Sequence, residues 1–291
     1  MCGICGIASP RQVDSGELHR MNETLRRRGP DDAGHYVSNG VGLAMRRLSI
    51  IDIEGSPQPI YSADRRYVGV FNGDIYNFRE LRSELKEKGY QFRSQGDGEV
   101  VLNLFAEFGV EAFRRLRGMF GVAVWDTQSE ELWLARDPLG IKPLFYSMRD
   151  GELLFGSEMK AILETGRCDE RLDPQGLDAY LAYTYIPAPF TIYRGIRRLE
   201  PGHCLRWKAG AIRQQRYWFL PNEIGDGGMT TAELGEVIAD SVRSHLVADV
   251  PVGAFLSGGI DSSAIVSRME HEPGNPVQAF TIRFDESGSH L

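Results

Sequence analysis

Short apolar stretches separated by turn residues occupy most of the chain up to about residue 208. Six of them are rich in Val, Leu, Phe and Tyr and are bounded by Gly, Asp, Asn or Pro, which is typical of strands. Two others repeat apolar side chains at helical spacing, which predicts helices over 77–89 and 99–109. The predicted strands are 40–52, 67–77, 119–126, 131–138, 144–148 and 151–158. The mixture predicts stacked sheets flanked by helices, an α+β fold.

A polar, glycine-rich segment without periodicity, residues 221–230, is predicted to be a linker. After it the pattern predicts a helix over 231–246, a buried strand over 250–256, a glycine turn, a helix beginning near Asp261 and a strand over 277–284. A strand, helix and second strand in that order form a βαβ unit, which belongs to a parallel sheet covered on both faces.

Length and composition agree with two globular domains. The chain has 291 residues, 42% of them hydrophobic and 25% charged, whereas a domain usually has roughly 100–200 residues. We therefore predict a first domain over 1–220 and a second over 221–291. With 71 residues (291 − 220), the second falls below the usual size of about 100–150. It is predicted to be incomplete.

The formal net charge of −7 disfavours nucleic acid as the main partner. No apolar run approaches the roughly 18 residues of a membrane span, and the N-terminus lacks a signal-peptide pattern. The expected location is therefore the cytoplasm, away from the membrane. Four cysteines, Cys2, Cys5, Cys168 and Cys204, are too few and too scattered for a disulfide framework.

The segment SGGIDSS, residues 257–263, is the most specific motif. Backbone N–H groups around the glycines and the positive end of the following helix would form a pocket for phosphate oxygens. Because no lysine follows Gly259, the loop differs from a Walker A loop and is predicted to hold pyrophosphate. The alternative is a plain strand-to-helix turn with Asp261 as the helix cap.

The segment FNGDIYN, residues 71–77, has two interpretations. Asn-Gly is the strongest hairpin-turn signal, so a plain turn is favoured. In the alternative, the Asn72 side-chain amide and the Gly73 N–H form an oxyanion hole.

The roles of charged residues in three other segments are also left open by the sequence. In RRLSIID, residues 46–52, an arginine either reaches the surface, which is favoured, or grips a carboxylate. Asp97 either caps a helix or belongs to a site. RRGPDDAG, residues 27–34, has the composition of a surface loop.

The N-terminal MCGICG is either a C-x-x-C pair for a metal or a redox disulfide, or a single functional Cys2 exposed by loss of Met1. No histidine falls into a metal or triad spacing, and no second C-x-x-C occurs. We therefore expect no metal site.

Eight motifs, in order along the chain, closely resemble glutamine-dependent asparagine synthetases. They are MCGICG, RRGPDDAGHY, RRLSIID, FNGDIYNFREL, GDGEVVL, ARDPLGIKPLFY, FGSEMKAIL and VPVGAFLSGGIDSS. In that family a class II glutamine amidotransferase domain, an α/β/β/α sandwich of the N-terminal-nucleophile hydrolase fold, precedes an ATP-pyrophosphatase synthetase domain. The resemblance implies that sandwich, followed by an incomplete α/β, Rossmann-like parallel-sheet domain.

The resemblance also implies roles in hydrolysing glutamine. Cys2 would be the nucleophile, with its free α-amino group as base, and Asn72 and Gly73 would stabilise the oxyanion. Arg47 would bind the α-carboxylate, while Asp74 and Asp97 would hold the α-amino group. The implied glutamine-binding residues are Arg47, Leu48, Ser49, Ile50, Ile51, Asn72, Gly73, Asp74 and Asp97.

For the second domain, the resemblance implies that ATP with Mg²⁺ activates aspartate as an adenylate, which ammonia converts to asparagine. Glutamine, aspartate and ATP would be the partners, and a homodimer is compatible. The implied ATP-binding residues are Leu256, Ser257, Gly258, Gly259, Asp261, Ser262 and Ile282. Two alternatives stay open: a relative that amidates another carboxylate, and a truncated glutaminase or interaction remnant without synthetase activity.

Three positions depart from the family pattern. Asp74 stands where Glu is usual, Gly96 and Gly98 flank Asp97 where Ser and Thr are common, and Arg27 replaces His. The two glycines are predicted to loosen their loop.

Overall fold

The computed structural model describes residues 1–221, 228–271 and 276–283. Residues 222–227 of the predicted linker and residue 284 of the last predicted strand lie outside the described residues. The chain divides into two compact units, Met1–Leu220 and Pro221–Leu291. Within the described ranges, none of the helices has the length and apolarity needed to cross a bilayer.

Two six-stranded antiparallel sheets form the first unit. The first sheet has the strand order β10-β8-β9-β1-β3-β2 and the second has the order β12-β11-β7-β6-β5-β4. The strands of the first sheet are β1 (Gly3–Ala8), β2 (Asp32–Ser38), β3 (Val41–Arg47), β8 (Phe145–Arg149), β9 (Glu152–Gly156) and β10 (Arg197–Arg198). Those of the second are β4 (Ile60–Tyr61), β5 (Tyr67–Ile75), β6 (Gly118–Asp126), β7 (Glu131–Arg136), β11 (His203–Lys208) and β12 (Ala211–Arg216).

Helices cover the outer faces of the two sheets. The helices of this unit are α1 (Ser15–Thr24), α2 (Phe78–Glu87), α3 (Asp97–Phe108), a 3₁₀ turn (Gly109–Glu111), α4 (Ala112–Arg115), α5 (Met159–Leu163) and α6 (Pro174–Tyr183). Helices α1 and α5 pack on the first sheet and α3 packs on the second, with α2 against α3. The result is the four-layered α/β/β/α sandwich, so the predicted fold is confirmed.

The alternation of side chains along β1 separates the two N-terminal cysteines. Ile4 faces the apolar core between the sheets, and Cys2 packs against that core. Cys5 and Ile7 face the opposite way, into a second apolar cluster with α1 and α5. Since successive residues of a strand point to opposite faces, positions 2 and 5 cannot meet. The C-x-x-C pair is therefore neither a disulfide nor a shared metal site.

The second unit contains a βαβ arrangement. Its described elements are α7 (Thr231–His245), β13 (Gly253–Phe255), α8 (Ile260–His271) and β14 (Gln278–Phe280). β13 and β14 pair in parallel, as predicted. The expectation of a buried strand over 250–256 is wrong, because β13 has three residues and the Phe255 side chain is 80% exposed. Within the described residues, β13 has only β14 as a neighbouring strand, so little apolar surface covers it.

Candidate functional site

One cavity of about 270 Å³ in the first unit gathers nearly all the residues expected to act on glutamine. It opens where β1, β3 and β5 meet the loops that precede α3. The expected residues that line it are Cys2, Arg47, Leu48, Ile50, Ile51, Asn72, Gly73, Asp74 and Asp97. Ser49 lies outside the lining, and its N–H donates to Asp31 Oδ2 at 2.9 Å.

Cys2 is half-buried immediately before the first residue of β1, and its sulfur contacts Leu48. The Leu48 N–H donates to the sulfur at 3.4 Å, and Arg28 Nε donates to the Cys2 carbonyl oxygen at 2.9 Å. Burial raises the pKa of the Cys2 thiol, since it disfavours the thiolate. Burial also lowers the pKa of the α-amino group, at Met1 in this chain, with help from the positive charges of Arg28 and Lys142. The Met1 amine and the Cys2 thiol thus lie in one cavity with pKa values shifted in opposite directions.

The favoured interpretation of FNGDIYN as a turn is wrong. Asn72 and Gly73 lie in β5, which pairs residue by residue with β6 from Tyr67 opposite Asp126 to Ile75 opposite Gly118. Nine paired residues outweigh the local turn preference of Asn-Gly. Gly73 fits because a Cβ there would collide with the carbonyl oxygen of Met119 on β6.

The free edge of β5 supplies backbone N–H groups to the cavity. Strand β4 covers only the first part of this edge. Further along, the Phe71 N–H donates to Gln58 Oε1 at 2.7 Å and the Ile75 N–H donates to Asp97 Oδ2 at 2.9 Å. Because N–H groups alternate between the two edges of a strand, the Gly73 N–H points to the same edge, between those two bonds.

The Asn72 side chain presents a second donor. It is 1% exposed, and its Nδ2 has no hydrogen-bond partner among the described residues. A buried N–H without a partner costs about 1–3 kcal/mol, so such a group normally marks a strained or functional position. Asn72 and Gly73 together offer two adjacent donors to an oxygen bound in the cavity.

The favoured surface location is wrong for Arg47. Its side chain is 6% exposed at the end of β3, where the predicted strand over 40–52 stops. Its guanidinium donates to three carbonyl oxygens of the following loop, those of Ile51 at 3.0 Å, Asp52 at 2.7 Å and Ile53 at 2.8 Å. These bonds hold the Arg47 guanidinium at the cavity wall. Because the three acceptors are uncharged carbonyl oxygens, they do not neutralise its positive charge, which suits a bound carboxylate.

Asp97 is a buried carboxyl group that also lines the cavity. It is the first residue of α3, and Gly96 is the N-cap, so the capping interpretation of Asp97 is wrong. Burial raises the pKa of Asp97 to about 7, and the negative charge of Asp74 adds to this rise. The hydrogen bond from the Ile75 N–H acts in the opposite direction and lowers the pKa. The group can therefore change charge near neutrality.

Asp74 has a partner that sequence reasoning missed. Lys142 lines the cavity, its side chain is 6% exposed, and its ammonium nitrogen lies 3.4 Å from Asp74 Oδ2. The Lys142 backbone is fixed, because its N–H donates to Asp137 Oδ2 at 2.9 Å and its carbonyl accepts from Arg136 Nε at 2.8 Å. The only sequence signal was a lysine within the otherwise apolar run LGIKPLFY.

The predicted loosening around Asp97 is absent from the structure. Arg82 donates to the carbonyl oxygens of Ser94 at 2.7 Å and Gly96 at 2.6 Å. A Cβ at Gly98 would collide with Ile60. The glycines are thus accommodated by close packing from neighbouring segments.

The predicted pyrophosphate loop joins β13 to α8 in the second unit. Ser257 Oγ lies 3.0 Å from Ser262 Oγ, and the Gly259 N–H donates to Ser257 Oγ at 3.4 Å. Gly258 has a φ of +81°, which permits the turn. The Leu256 N–H donates to the Phe280 carbonyl at 2.8 Å. Asp261 lies in the first turn of α8, and Ile282 is 74% exposed beyond β14.

Each unit matches a protein-family model. Residues 1–218 match the family described as a glutamine amidotransferase domain, and residues 233–290 match the family described as asparagine synthase.

Curated relatives match nearly the whole chain. Glutamine-hydrolysing asparagine synthetase 1 of Bacillus subtilis is 38% identical over 298 residues, covering 99% of this chain and 46% of the relative. Glutamine-hydrolysing asparagine synthetase B of Escherichia coli is 35% identical over 272 residues, covering 91% of this chain and 44% of the relative. The chain thus spans about half the length of the curated relatives that it matches.

Solved structures show the same fold at low identity. An allosteric regulatory enzyme of purine biosynthesis has a TM-score of 0.59 at 16% identity, over 98% of this chain and 69% of that chain. Glutamine phosphoribosylpyrophosphate amidotransferase from Bacillus subtilis has a TM-score of 0.57 at 16% identity, over 96% of this chain and 65% of that chain.

Proposed function

This chain belongs to the glutamine amidotransferase domain family, and on that premise we propose that Cys2, freed at the N-terminus, hydrolyses glutamine to glutamate and ammonia. The observation that carries the proposal is one cavity lined by a half-buried thiol, the Arg47 cation, the Asp97 carboxyl and the Asn72 side chain, whose Nδ2 has no partner in the part of the chain that the structure describes. A nucleophile, an oxyanion site and a charge pair for an amino acid are the groups that this reaction needs.

The reaction proceeds through a thioester. After removal of Met1, the neutral α-amino group accepts the Cys2 thiol proton, and the sulfur attacks the side-chain amide carbon of glutamine. The amide oxygen becomes an oxyanion, which accepts hydrogen bonds from Asn72 Nδ2 and the Gly73 N–H. As the carbon–nitrogen bond breaks, the α-ammonium returns its proton and ammonia leaves. Water then hydrolyses the thioester to glutamate and restores the thiol.

Charge complementarity orients the substrate. Arg47 binds the α-carboxylate, and Asp74 with Asp97 binds the α-ammonium. Lys142 orients the Asp74 carboxylate through their 3.4 Å pair. Because both charged groups of glutamine are held, the amide end is directed towards Cys2. The sulfur then attacks an oriented substrate, as in an intramolecular reaction.

Glutamine affinity is expected to rise with pH through about 7. Burial raises the pKa of Asp97 to about 7, whereas the α-ammonium of glutamine favours the ionised carboxylate. Binding therefore releases a proton below this pH, and affinity falls there by up to about tenfold per pH unit. Calorimetric titration of glutamine into the Cys2→Ala chain, from about pH 5.5 to about pH 8.5, measures this without turnover.

The Asp97→Asn variant is the matched control. It binds glutamine more weakly, and its affinity is expected to be flat across the same pH range because the titrating group is gone. An affinity that is independent of pH in the chain with Asp97 intact would contradict this assignment.

For the second unit, we propose a site for ATP as its Mg²⁺ complex. The turn from Ser257 to Ser262 joins a strand to the start of α8, and the N–H groups at such a turn attract phosphate oxygens. The match of residues 233–290 to the asparagine synthase family supports this. The hydroxyls of Ser257 and Ser262 would donate to the pyrophosphate, as would the backbone of Gly258 and Gly259. Leu256 and Ile282 would contact the nucleoside.

In the whole protein, we propose that the ammonia amidates an aspartate activated by ATP, giving asparagine, AMP and pyrophosphate. The named relatives from Bacillus subtilis and Escherichia coli support aspartate as the acceptor. We place this chemistry in the cytoplasm, where reducing conditions keep the four free thiols. Supplying aspartate, or other carboxylates in its place, with glutamine and ATP identifies the acceptor from the amide formed.

The glutaminase proposal is tested first by incubating the purified chain with glutamine and measuring glutamate and ammonia. Equal amounts of both products are expected, without any need for ATP, because the first unit carries every group named in the reaction. Failure to release glutamate from protein whose Met1 has been removed would contradict the proposal.

A further inference from the structure

We propose that Asp52 is a positioning residue which clasps together the two loops that hold opposite ends of glutamine. The inference rests on the proposed glutaminase function. Asp52 does not line the cavity, so its contribution acts through other residues.

The backbone of Asp52 serves the carboxylate-binding end. Its carbonyl oxygen accepts from Arg47 Nη2 at 2.7 Å, the shortest of the three bonds that orient this guanidinium. Asp52 has a φ of +50°, in the left-handed region that few residues other than Gly, Asn and Asp adopt. This conformation belongs to the turn that directs the carbonyl oxygens of Ile51, Asp52 and Ile53 at one side chain.

The side chain of Asp52 serves the ammonium-binding end. Its Oδ2 accepts from the Gln95 N–H at 2.7 Å and from the Gly96 N–H at 3.0 Å. These residues immediately precede Asp97 at the start of α3, where a carboxylate also interacts favourably with the helix dipole. One residue thus joins the loop of Arg47 to the loop of Asp97.

Two further bonds lock the carboxylate itself. Ser56 Oγ donates to Asp52 Oδ2 at 2.7 Å and the Gly55 N–H donates to Oδ1 at 3.2 Å. Burial opposes ionisation, but these bonds together with those from Gln95 and Gly96 outweigh it and lower the pKa of Asp52. The clasp is therefore charged throughout the neutral pH range.

The departure at Gly96 follows from this clasp. A Cβ at Gly96 would collide with Ser56 Oγ, and a Cβ at Gly55 would collide with the Asp52 carboxylate. A serine at position 96 would displace the Ser56 hydroxyl, which is one of the donors to the Asp52 carboxylate. The absence of a side chain at Gly96 thus allows its loop to pack closely against the loop that contains Ser56.

The clasp should govern substrate binding far more than the chemical step. Cys2 lies beside β1, and Asn72 and Gly73 lie in β5, so the reacting groups lie on other segments than Asp52. Arg47 and Asp97, in contrast, set the separation between the charges that receive the α-carboxylate and the α-ammonium. Releasing their loops lets this separation vary, which weakens glutamine binding.

The test compares Asp52→Ala and Asp52→Asn with a control, Asp64→Asn. Asp64 also accepts a backbone N–H, that of Arg66 at 3.1 Å, in an exposed turn away from the cavity. Asp52→Ala loses the hydrogen bonds that the carboxylate accepts from Gln95, Gly96, Ser56 and Gly55. We expect the glutamine KM to rise about tenfold or more, which corresponds to about 1.4 kcal/mol of lost binding free energy. Asp52→Asn, which keeps one acceptor oxygen, should be intermediate, and kcat should fall much less than KM rises.

Amide hydrogen exchange at Gln95 and Gly96 gives a second readout that needs no activity. Exchange should accelerate in both Asp52 variants and stay unchanged in Asp64→Asn. The clasp is overturned if both Asp52 variants keep the wild-type KM, or if they lose kcat alone, which indicates a general loss of folded enzyme. If Asp52→Ala fails to fold, Asp52→Asn decides by the same criteria. Absence of glutamate release by the wild-type chain is a different result, which contradicts the proposed function.

Discussion

Replacing Cys2 by Ala is expected to lower the rate of glutamate release on the order of 10³-fold or more, since removal of a nucleophile abolishes the covalent route. Binding should survive, because Arg47 and Asp97 lie on other segments and hold the charged end of glutamine. Steady-state assay of glutamate release measures the loss, and calorimetry of the same variant measures the retained affinity.

Cys5→Ala is the matched control for this variant. Cys5 is fully buried, and it faces the cluster beneath α1, away from the cavity. Burial raises its pKa well above the ordinary value, so it stays a thiol. Wild-type kcat is expected in Cys5→Ala, and equal losses in the two variants would contradict the assignment of Cys2 as the single nucleophile.

Replacing Asn72 by Ala should lower kcat by about 10²–10³-fold with a much smaller change in KM. Its Nδ2 is buried without a partner among the described residues, so it is available to an oxygen that gains charge during the reaction. A hydrogen bond that strengthens in the transition state contributes to kcat more than to ground-state binding. The split between kcat and KM is the diagnostic measurement.

Two variants separate this role from a loss of packing. Asn72→Asp keeps the shape of the side chain but replaces the donor by an acceptor, so it should be at least as slow as Asn72→Ala. Asn103 is also buried with an Nδ2 that lacks a partner among the described residues, but it lies within α3 outside the cavity lining. Normal kcat in Asn103→Ala is expected, and a similar loss there would argue against an oxyanion role for Asn72.

Periodic patterns in the sequence predicted the parts of the fold that depend on local apolar spacing. The helices expected over 77–89 and 99–109 are Phe78–Glu87 and Asp97–Phe108 in the structure. Each carries an apolar stripe, which packs on the sheet in α3 and against α3 in α2. Such a stripe is visible in the sequence without knowledge of its partners.

The predictions that are wrong concern residues whose conformation or burial depends on contacts with segments distant in the sequence. Asn72 and Gly73 carry a strong turn signal, but pairing with β6 keeps them in a strand. Arg47 is buried because the next loop turns three carbonyl oxygens towards it. Lys142 was not predicted as a site residue, because its partner, Asp74, lies far away in the sequence, on β5. Such contacts follow from tertiary packing, which no local pattern encodes.

The proposed glutamine-binding residues were predicted chiefly from the order of the motifs and from their resemblance to a family, since FNGDIYN alone favoured a turn and RRLSIID alone favoured a surface location. The structure adds physical reasons: an Asn72 Nδ2 that has no partner within residues 1–221, 228–271 and 276–283, a buried cation at Arg47, and a carboxyl group at Asp97 whose pKa burial raises to about 7. Asp52 stands outside the cavity and is identified only by its hydrogen bonds.

The central claim is that Cys2, with its own free α-amino group, forms the thioester with glutamine. The most direct test is acid quenching of the active protein during turnover, followed by mass spectrometry of the N-terminal peptide. We expect a peptide that begins at Cys2 and carries a glutamyl group, absent from Cys2→Ala. Fully active protein that retains Met1, or a glutamyl group on Cys5, would contradict the claim.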